Sequence, residues 1–311
     1  MNIRHIILMV CLILVLAGCE QETTSTAKGK TFIGGTEAIE FNFMEGSPPP
    51  EVYDGGNFPF EVTLNVENKG EYDVNKDEIK FQLIGFYPED FNADAASLTG
   101  ITPDEDLAGA YIDSEGNQIP GGITYVNFPE LNYIGQLKGN NEFPIRAEVC
   151  YEYGTKSQTD LCILRDLTKT SDKVCEVNEQ KVVESSSSPI QIENFEESVA
   201  GTNKITFSFE VVHRGTGLIS KDAVCSDALV DKNKVKVTVS GIEDLGTLTC
   251  SGIDEEGYVT LYGGKRLVRC TIDLNDRGSD FEKKVYIDLE FYYAENKQTT
   301  VLVKHATAGT D

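Results

Sequence analysis

The strongest constraint on the fold is a repeat in which apolar and polar residues alternate along two pairs of segments. Residues 147–153 match residues 287–293, and residues 158–163 match residues 298–303, so the offset is 140 in both pairs. Alternation with a period of two is typical of half-buried β-strands. A repeat at fixed spacing indicates a duplicated structural unit. The sequence therefore predicts two copies of one β-rich domain, each ending in a β-hairpin.

The segments before these hairpins follow the same order in both halves of the chain. The alternating segments are residues 39–43, 60–66 and 79–83 in the first half and residues 190–192, 205–211 and 235–239 in the second. Gly70 and Gly215 end one matching pair of strands, and Gly85 and Gly241 end another. The sequence offset differs between these two glycine pairs, as expected if loops of different length are inserted between matching strands. Convergence of unrelated hairpins on the same alternation is the alternative explanation.

Many short strands separated by turn residues predict an all-β fold of two tandem antiparallel β-sandwiches. A long acidic insertion follows Pro88, and residues 91–98 within it are predicted to form a helical turn. The expected parts are a signal peptide (1–18), a flexible tether (19–34), a first sandwich with the insertion (35–170), a linker (171–189), a second sandwich (190–305) and a tail (306–311).

The N-terminus has the plan of a secretory signal peptide. Arg4 supplies a positive charge, residues 6–16 are almost all apolar, and the run Leu16-Ala17-Gly18-Cys19 follows. This run resembles the lipobox of prokaryotic lipoproteins. The resemblance implies cleavage before Cys19, a lipid on its sulfur and anchoring to a membrane. The alternative interpretation is an ordinary secretion signal. The sequence has no second run of about 20 apolar residues, so we expect no membrane span.

Residues 58–70 run from Phe-Pro-Phe to Val-Glu-Asn-Lys-Gly. They resemble the Ig/Fn3-like modules of the CARDB type in prokaryotic surface proteins, in which an alternating apolar strand leads into an Asn-x-Gly turn. The segment of residues 43–52, with its prolines, is similar to exported archaeal proteins of unknown function. The resemblance implies Ig/Fn3-like sandwiches and a surface location, and it carries no active site. The second half has His213-Arg214-Gly215 in place of the asparagine turn, so its assignment depends on the internal repeat.

The net charge of the chain limits the classes of partner that it can bind. Removal of residues 1–18 takes away one charged residue, Arg4, and leaves a net charge of about −25 against −24 for the whole chain. Such a surface repels phosphate backbones, so we expect no nucleic-acid partner. It also disfavours binding to anionic headgroups through a basic patch. The expected partners are membrane lipid, through Cys19, and a protein or another envelope component.

Six cysteines remain beyond the signal peptide and Cys19, and an even number in an exported chain predicts disulfides. A hairpin centred on Lys156 would place Cys150 opposite Cys162. In the second half Cys250 and Cys270 share the phase of the apolar residues, so a buried bridge is expected between them. Cys175 and Cys225 then pair by elimination. Zinc is the competing reading, but the sequence has no CxxC pair.

Few residues point to chemistry, and we expect no catalytic residue and no resident cofactor. His213 and His305 are the histidines beyond the signal peptide, and both are expected at strand ends. Calcium is the one metal considered, because Asp273, Asn275 and Asp276 lie near the ligand positions of an EF-hand loop. Lys284 occupies the twelfth position, which rules out an EF-hand and leaves only a looser site. Residues 113–117 are a second loop of this kind.

The sequence therefore predicts a non-catalytic, membrane-anchored surface lipoprotein that serves adhesion, display or envelope structure. The first alternative is a subunit of an extracellular filament or surface assembly, in which the strand with Ile39, Phe41 and Phe43 pairs with a neighbouring molecule. The second alternative is a secreted hydrolase that uses the acidic insertion. We expect an exported protein on the outer face of the cell membrane or on another envelope membrane.

Overall fold

The computed structural model describes residues 30–169, 171–226 and 228–306 of the chain. The predicted signal peptide, Cys19 and almost all of the predicted tether that precedes Thr31 lie outside the described residues. Most of the predicted tail also lies outside them. Everything that follows concerns the unit that begins at Thr31.

The described residues form strands and short 3-10 turns. The strands are β1 (Ile39–Phe43), β2 (Glu51–Tyr53), β3 (Thr63–Asn68), β4 (Ile79–Ile84), β5 (Thr99–Ile101), β6 (Tyr111–Ile112), β7 (Gln118–Ile119), β8 (Ile123–Asn127), β9 (Asn141–Ile163), β10 (Glu179–Gln180), β11 (Glu184–Ser185), β12 (Ile190–Gly201), β13 (Lys204–His213), β14 (Leu218–Ser220), β15 (Lys234–Ser240), β16 (Gly246–Ser251), β17 (Tyr258–Thr260), β18 (Lys265–Leu274) and β19 (Phe281–Lys304). The 3-10 turns are Lys76–Glu78, Pro88–Phe91 and Ala95–Leu98. The last two confirm the helical turn predicted in the acidic insertion.

Two long strands organise the fold. β9 has 23 residues, and every one of them pairs with β19 in an antiparallel register from Asn141↔Val303 to Ile163↔Phe281. They form the middle of a sheet with the order β17-β15-β19-β9-β4-β5. A three-stranded sheet (β1-β3-β8) and a five-stranded sheet (β10-β12-β13-β18-β16) supply the other layers. The predicted all-β fold with antiparallel β-sandwich architecture is confirmed.

The prediction of two terminal hairpins is wrong, because each of the two segments forms one uninterrupted strand. Gly154 follows the first alternating segment, where the hairpin predicted around Lys156 would begin to turn, but it lies within β9 opposite Glu290. A Cβ at this position would come within 2.5 Å of the Tyr72 ring, so glycine is needed for close packing and not for a turn. Alternation alone does not reveal whether a strand turns or continues.

The duplication is visible in the pairing of these two strands. Ala147 pairs with Lys297, and Ile287 pairs with Ser157. Each residue of the second pair lies 140 positions from one residue of the first, so the two pairs are equivalent. The shared sheet has matching order on its two sides, since β5, β4 and β9 correspond to β17, β15 and β19. The two copies are therefore related by a pseudo-two-fold axis through the middle of this sheet.

The segment predicted as a linker takes part in the sheets. β10 pairs with β12, and β11 pairs with β9. Its serines are also buried: Ser186, Ser187 and Ser188 are at most 3% exposed. The two halves of the chain are thus joined by a continuous sheet as well as by the covalent connection.

All six described cysteines form disulfides, but only one predicted pairing is correct. Cys250 pairs with Cys270, directly opposite it on β16 and β18. The other bridges are Cys150–Cys225 and Cys162–Cys175. The predicted Cys150–Cys162 bridge is wrong because both residues lie on β9, about 40 Å apart along an extended strand. The Cys175–Cys225 pairing depended on it and is wrong too.

Candidate functional site

A cleft of about 940 Å³ lies beside the central strands. Strands β1, β4, β9 and β19 and the loops on either side of β14 contribute to it. Its lining includes Glu37, Phe41, Tyr151, Tyr293, Glu295 and Lys297. The cleft therefore lies at the junction of the two copies, where both long strands contribute side chains.

A polar stretch within β19 sets the chemistry of this cleft. Side chains on one face of a strand recur every second residue, and on β19 that face is buried at Phe291 and Tyr293 and again at Val301 and Val303. Between them the same face carries Glu295, Lys297 and Thr299. This break in an otherwise apolar face places a carboxylate and an ammonium group on a half-buried part of it.

The equivalent stretch of β9 is also polar, but the chain covers it. Thr155 Oγ1 donates to the backbone oxygen of Ile190 at 2.5 Å, and Thr159 Oγ1 donates to that of Val182 at 2.8 Å. Ser157 Oγ lies 2.8 Å from Ser185 Oγ. Segment 182–190, which contains β11, thus supplies hydrogen-bond partners to these three hydroxyl groups of β9.

Glu295 is a half-buried charged group of the cleft. Burial raises the pKa of its carboxyl group, nearby Lys297 opposes this, and nearby Glu37 adds to it. Among the described residues its carboxylate has no hydrogen bond and no ion pair within 4.0 Å. The Lys297 ammonium instead donates to Asn42 Oδ1 at 2.7 Å and lies 5.7 Å from the centre of the Phe41 ring. Glu295 is therefore a half-buried carboxylate without a direct partner.

Two buried phenols lie on the same face of the sheet. The Tyr151 side chain is fully buried, and its hydroxyl makes no hydrogen bond of ordinary geometry with the described residues. Burial raises the pKa of Tyr151 well above its usual value, the Glu295 charge raises it further, and the Ile39 backbone N–H acts weakly in the opposite direction. A buried polar atom without a partner is unfavourable by about 1–3 kcal/mol. Tyr151 thus adds a second unsatisfied polar group to the cleft.

Tyr293, by contrast, is well satisfied and explains the position of His213. Its Oη accepts a hydrogen bond from the Gly217 N–H at 2.7 Å and shares one with His213 Nε2 at 3.0 Å. Burial raises the pKa of Tyr293 to about 12 and lowers the pKa of His213. His213 thus holds the turn against the sheet, at the end of β13 as expected from the sequence.

His305 has a partner that the sequence did not reveal. Its Nδ1 lies 2.8 Å from Asp54 Oδ2, and Asp54 also accepts from the backbone N–H groups of Leu137 and Ala306. These hydrogen bonds, that with His305 first, lower the pKa of Asp54 to about 2. The pair secures the end of β19 against the loop after β2.

The predicted calcium ligands are not gathered into one group. Asp273 lies on β18, and its carboxylate is 2.6 Å from Lys204 Nζ. Asp276 Oδ1 accepts from the Arg277 N–H, and the Asn275 N–H donates to the Leu245 backbone. In the second loop, Asp113 accepts hydrogen bonds from the chain that turns between β6 and β7. Within the described ranges, no group of three or more His, Cys, Asp or Glu side chains is arranged to hold a metal.

Sequence reasoning missed Glu295, Lys297 and Tyr151. The available signal was an interruption of the apolar alternation in residues 287–303, since Glu295 and Lys297 stand where the pattern requires apolar residues. The predicted hairpin hid this signal, because a turn between residues 293 and 298 would place both charges in solvent. The unsatisfied Tyr151 hydroxyl has no counterpart in a sequence pattern.

Comparison with known proteins assigns no family. No protein-family model matches the chain, and no curated protein matches it. Among solved structures, the envelope protein VP37 from White Spot Syndrome Virus is similar at a TM-score of 0.27 and 7% identity, over 45% of this chain and 97% of that one. The secreted serine protease VesC from Vibrio cholerae is similar at a TM-score of 0.18 and 11% identity, over 80% of this chain and 49% of that one.

Two features bear on location. The three disulfides suggest an oxidising, extracellular environment. No helix in the described part of the chain is long and apolar enough to cross a membrane.

Proposed function

We propose that the protein is an exported, non-catalytic surface lipoprotein that is anchored through Cys19 and binds a partner in the cleft around Glu295. Adhesion, display or envelope structure would be its role. The three disulfides support the exported location, and the lipobox-like run before Cys19 supports the anchor. The resemblance of residues 58–70 to CARDB-type modules supports a surface role.

The single observation that carries the binding role is the Glu295 carboxylate. A half-buried charge without a partner lowers the stability of the fold unless something else compensates it. A ligand that supplies a cation or hydrogen-bond donors would compensate it. Perturbed titratable groups in a cleft are typical of functional sites. We therefore place the partner-binding function in this cleft.

The filament alternative receives no support from the position of β1. Ile39 and Phe41 are buried, and β1 pairs along its whole length with β3 of the same chain. Donation of this strand to a neighbouring molecule would break five backbone pairs and expose both side chains. We therefore do not propose strand exchange through β1.

A secreted hydrolase is the second candidate, and one observation favours it. Two carboxylates, Glu37 and Glu295, border the same cleft, and the pKa of Glu295 is raised by burial and then by Glu37. Glycoside hydrolysis uses such a pair, with the protonated member as the acid. Glu37 is exposed on the segment before β1, which favours binding over catalysis. Hydrolysis of glycan substrates that is lost in Glu295→Gln would reverse this preference.

The anchor is tested by intact mass and fatty-acid labelling of the full chain produced in a prokaryotic host that processes lipoproteins. We expect a chain that begins at Cys19, carries acyl mass and gains six alkyl groups only after reduction. Cys19→Ser should lose the acyl label, whereas Cys11→Ser should keep it, because Cys11 lies within the predicted signal peptide. An unlabelled chain with a different N-terminus would contradict the proposed anchor.

A further inference from the structure

The two copies differ at one edge of the shared sheet. On β9, β11 pairs with Ser157 and Gln158 on the edge that faces away from β19. The equivalent residues of β19, by the offset of 140, are Lys297 and Gln298. No strand of the described chain pairs with them on the corresponding edge. The pseudo-symmetry is therefore broken, because the described residues supply this strand to one copy and not to the other.

The missing strand leaves a gap of defined length. β14 pairs with β19 as far as Ala294, and β2 begins to pair with it at Leu302. The seven residues between them lie in a stretch of about 23 Å at the rise of a β-strand. Backbone N–H and C=O groups on an open edge are a template for an added strand. The gap thus has room for an extended segment of about seven residues.

The side chains beside the gap prefer a positive charge. Glu295 lies at its start with no ion pair to a described residue, and Glu37 is close enough to influence its titration. Lys297 is already engaged by Asn42 and the Phe41 ring. An added strand would present every second side chain to the face that carries Glu295 and Tyr151. An ammonium or guanidinium group at that position would pair with Glu295.

We propose that the open edge of β19 between Ala294 and Leu302 binds an extended peptide segment of a partner protein as an additional β-strand, with a lysine or arginine side chain of that segment paired to Glu295. Strand addition supplies affinity through the backbone, and the Glu295 subsite supplies selectivity. The net charge of −24 also favours the approach of a basic segment. This inference rests on the proposed binding role and names its partner.

The test is made in detergent solution with the protein expressed from its full sequence and processed by the host cells. The probe is a fluorescent, N-acetylated peptide of about eight alternating threonine and valine residues with one central lysine, which spans the gap. Fluorescence polarisation measures its affinity. Replacement of the lysine by norleucine should weaken binding about tenfold or more, as expected when a charge-assisted hydrogen bond is lost.

Two protein variants separate the subsite from general charge. Glu295→Gln should weaken binding of the lysine peptide about tenfold and leave the norleucine peptide almost unchanged. Glu282→Gln is the matched control, because it removes the same charge from an exposed position on β19. Its affinity should stay within about twofold of the wild type. Equal losses in both variants would overturn the Glu295 subsite.

Two further measurements test whether the peptide binds as an added strand. The bound peptide should slow hydrogen exchange of backbone amides within residues 295–301, and methylation of alternate peptide nitrogens should abolish binding. Spermidine that competes as strongly as the peptide, or a methylated peptide that binds equally well, would overturn the added strand. None of these outcomes affects acylation at Cys19, so failure of the peptide site is distinguishable from failure of the proposed anchor.

Discussion

Tyr292 Oη donates a 3.0 Å hydrogen bond to Glu152 Oε2, and these two residues are equivalent positions of the duplication. They differ by the same 140 positions as the matching segments, and they face each other in the β9–β19 register. The pseudo-two-fold axis therefore passes between them. The junction of the copies is isologous, as in a two-fold dimer, although both halves belong to one chain.

The Tyr292–Glu152 hydrogen bond makes the phenol difficult to ionise. Burial, as the larger cause, and the hydrogen bond to Glu152 together raise the pKa of Tyr292 to about 12. We expect Glu152→Gln to move the pKa of Tyr292 part of the way towards 10, because the neighbouring negative charge is removed while burial remains. The difference between the ultraviolet alkaline titrations of Glu152→Gln and Glu152→Gln/Tyr292→Phe gives this value. An unchanged pKa would show that burial alone is responsible.

Each copy also holds one glycine under the hydroxyl of a buried tyrosine. A Cβ at Gly70 would lie 2.0 Å from Tyr153 Oη, and a Cβ at Gly215 would lie 2.1 Å from Tyr293 Oη. Such distances force a shift, and overpacking of this severity lowers the free energy of unfolding by about 3 kcal/mol. We expect Gly70→Ala and Gly215→Ala to destabilise the protein by at least this amount in urea denaturation.

The two glycines should differ in their rescue. At Gly215 the next atom is Pro189 Cβ at 2.8 Å, so Tyr293→Phe relieves most of the clash. Gly215→Ala should therefore cost less stability in the Tyr293→Phe background than in the wild type. At Gly70 the backbone oxygen of Glu37 lies 2.4 Å from the added Cβ. Tyr153→Phe cannot remove that contact and should give little rescue. Equal rescue in both double variants would contradict the assignment of these contacts.

The disulfides should contribute unequally to stability. Cys150–Cys225 closes a loop with a sequence separation of 75, against 13 for Cys162–Cys175. Loop-closure entropy predicts that replacing the first pair by serine lowers the free energy of unfolding by about 4 kcal/mol and replacing the second by about 3 kcal/mol. Urea denaturation of the two double-serine variants measures both losses. A larger loss for the shorter loop would contradict this explanation.

The sequence predicted strands better than it predicted their connections. The alternation in residues 147–153 and 158–163 correctly indicates two strand segments, but it is the same whether Gly154 begins a turn or continues the strand. This ambiguity also led to the wrong partner for Cys150, because its predicted position opposite Cys162 required a hairpin. Cys250 and Cys270 were paired correctly because each lies in phase with apolar neighbours on its own strand. The unpaired edge beside Glu295 depends on loop paths that no local pattern encodes.

A buried carboxyl group beside the Cys162–Cys175 disulfide should make stability depend on pH near neutrality. Glu197 accepts hydrogen bonds from the Cys162 N–H at 3.2 and 2.9 Å, and its Oε2 lies 3.4 Å from Lys181 Nζ. Burial outweighs these contacts and raises the pKa of Glu197 from 4.5 to about 7. The folded protein therefore holds this proton more tightly than the unfolded chain does. Linkage requires that the free energy of unfolding falls as pH rises from about 4.5 to about 7, and that this contribution is constant above and below that window.

The shift of the Glu197 pKa corresponds to a loss of about 3 kcal/mol across this window. Glu197→Gln keeps an oxygen that accepts from the Cys162 N–H, but its side chain cannot titrate. Between pH 5 and pH 8 the free energy of unfolding of this variant should therefore fall by about that much less than the free energy of unfolding of the wild type. Urea denaturation at intervals across this range, with Glu282→Gln as the exposed control, measures the difference. Parallel curves for the wild type and Glu197→Gln would show that the carboxyl group ionises normally in the fold, which would require water or a closer approach of Lys181 to the buried side chain.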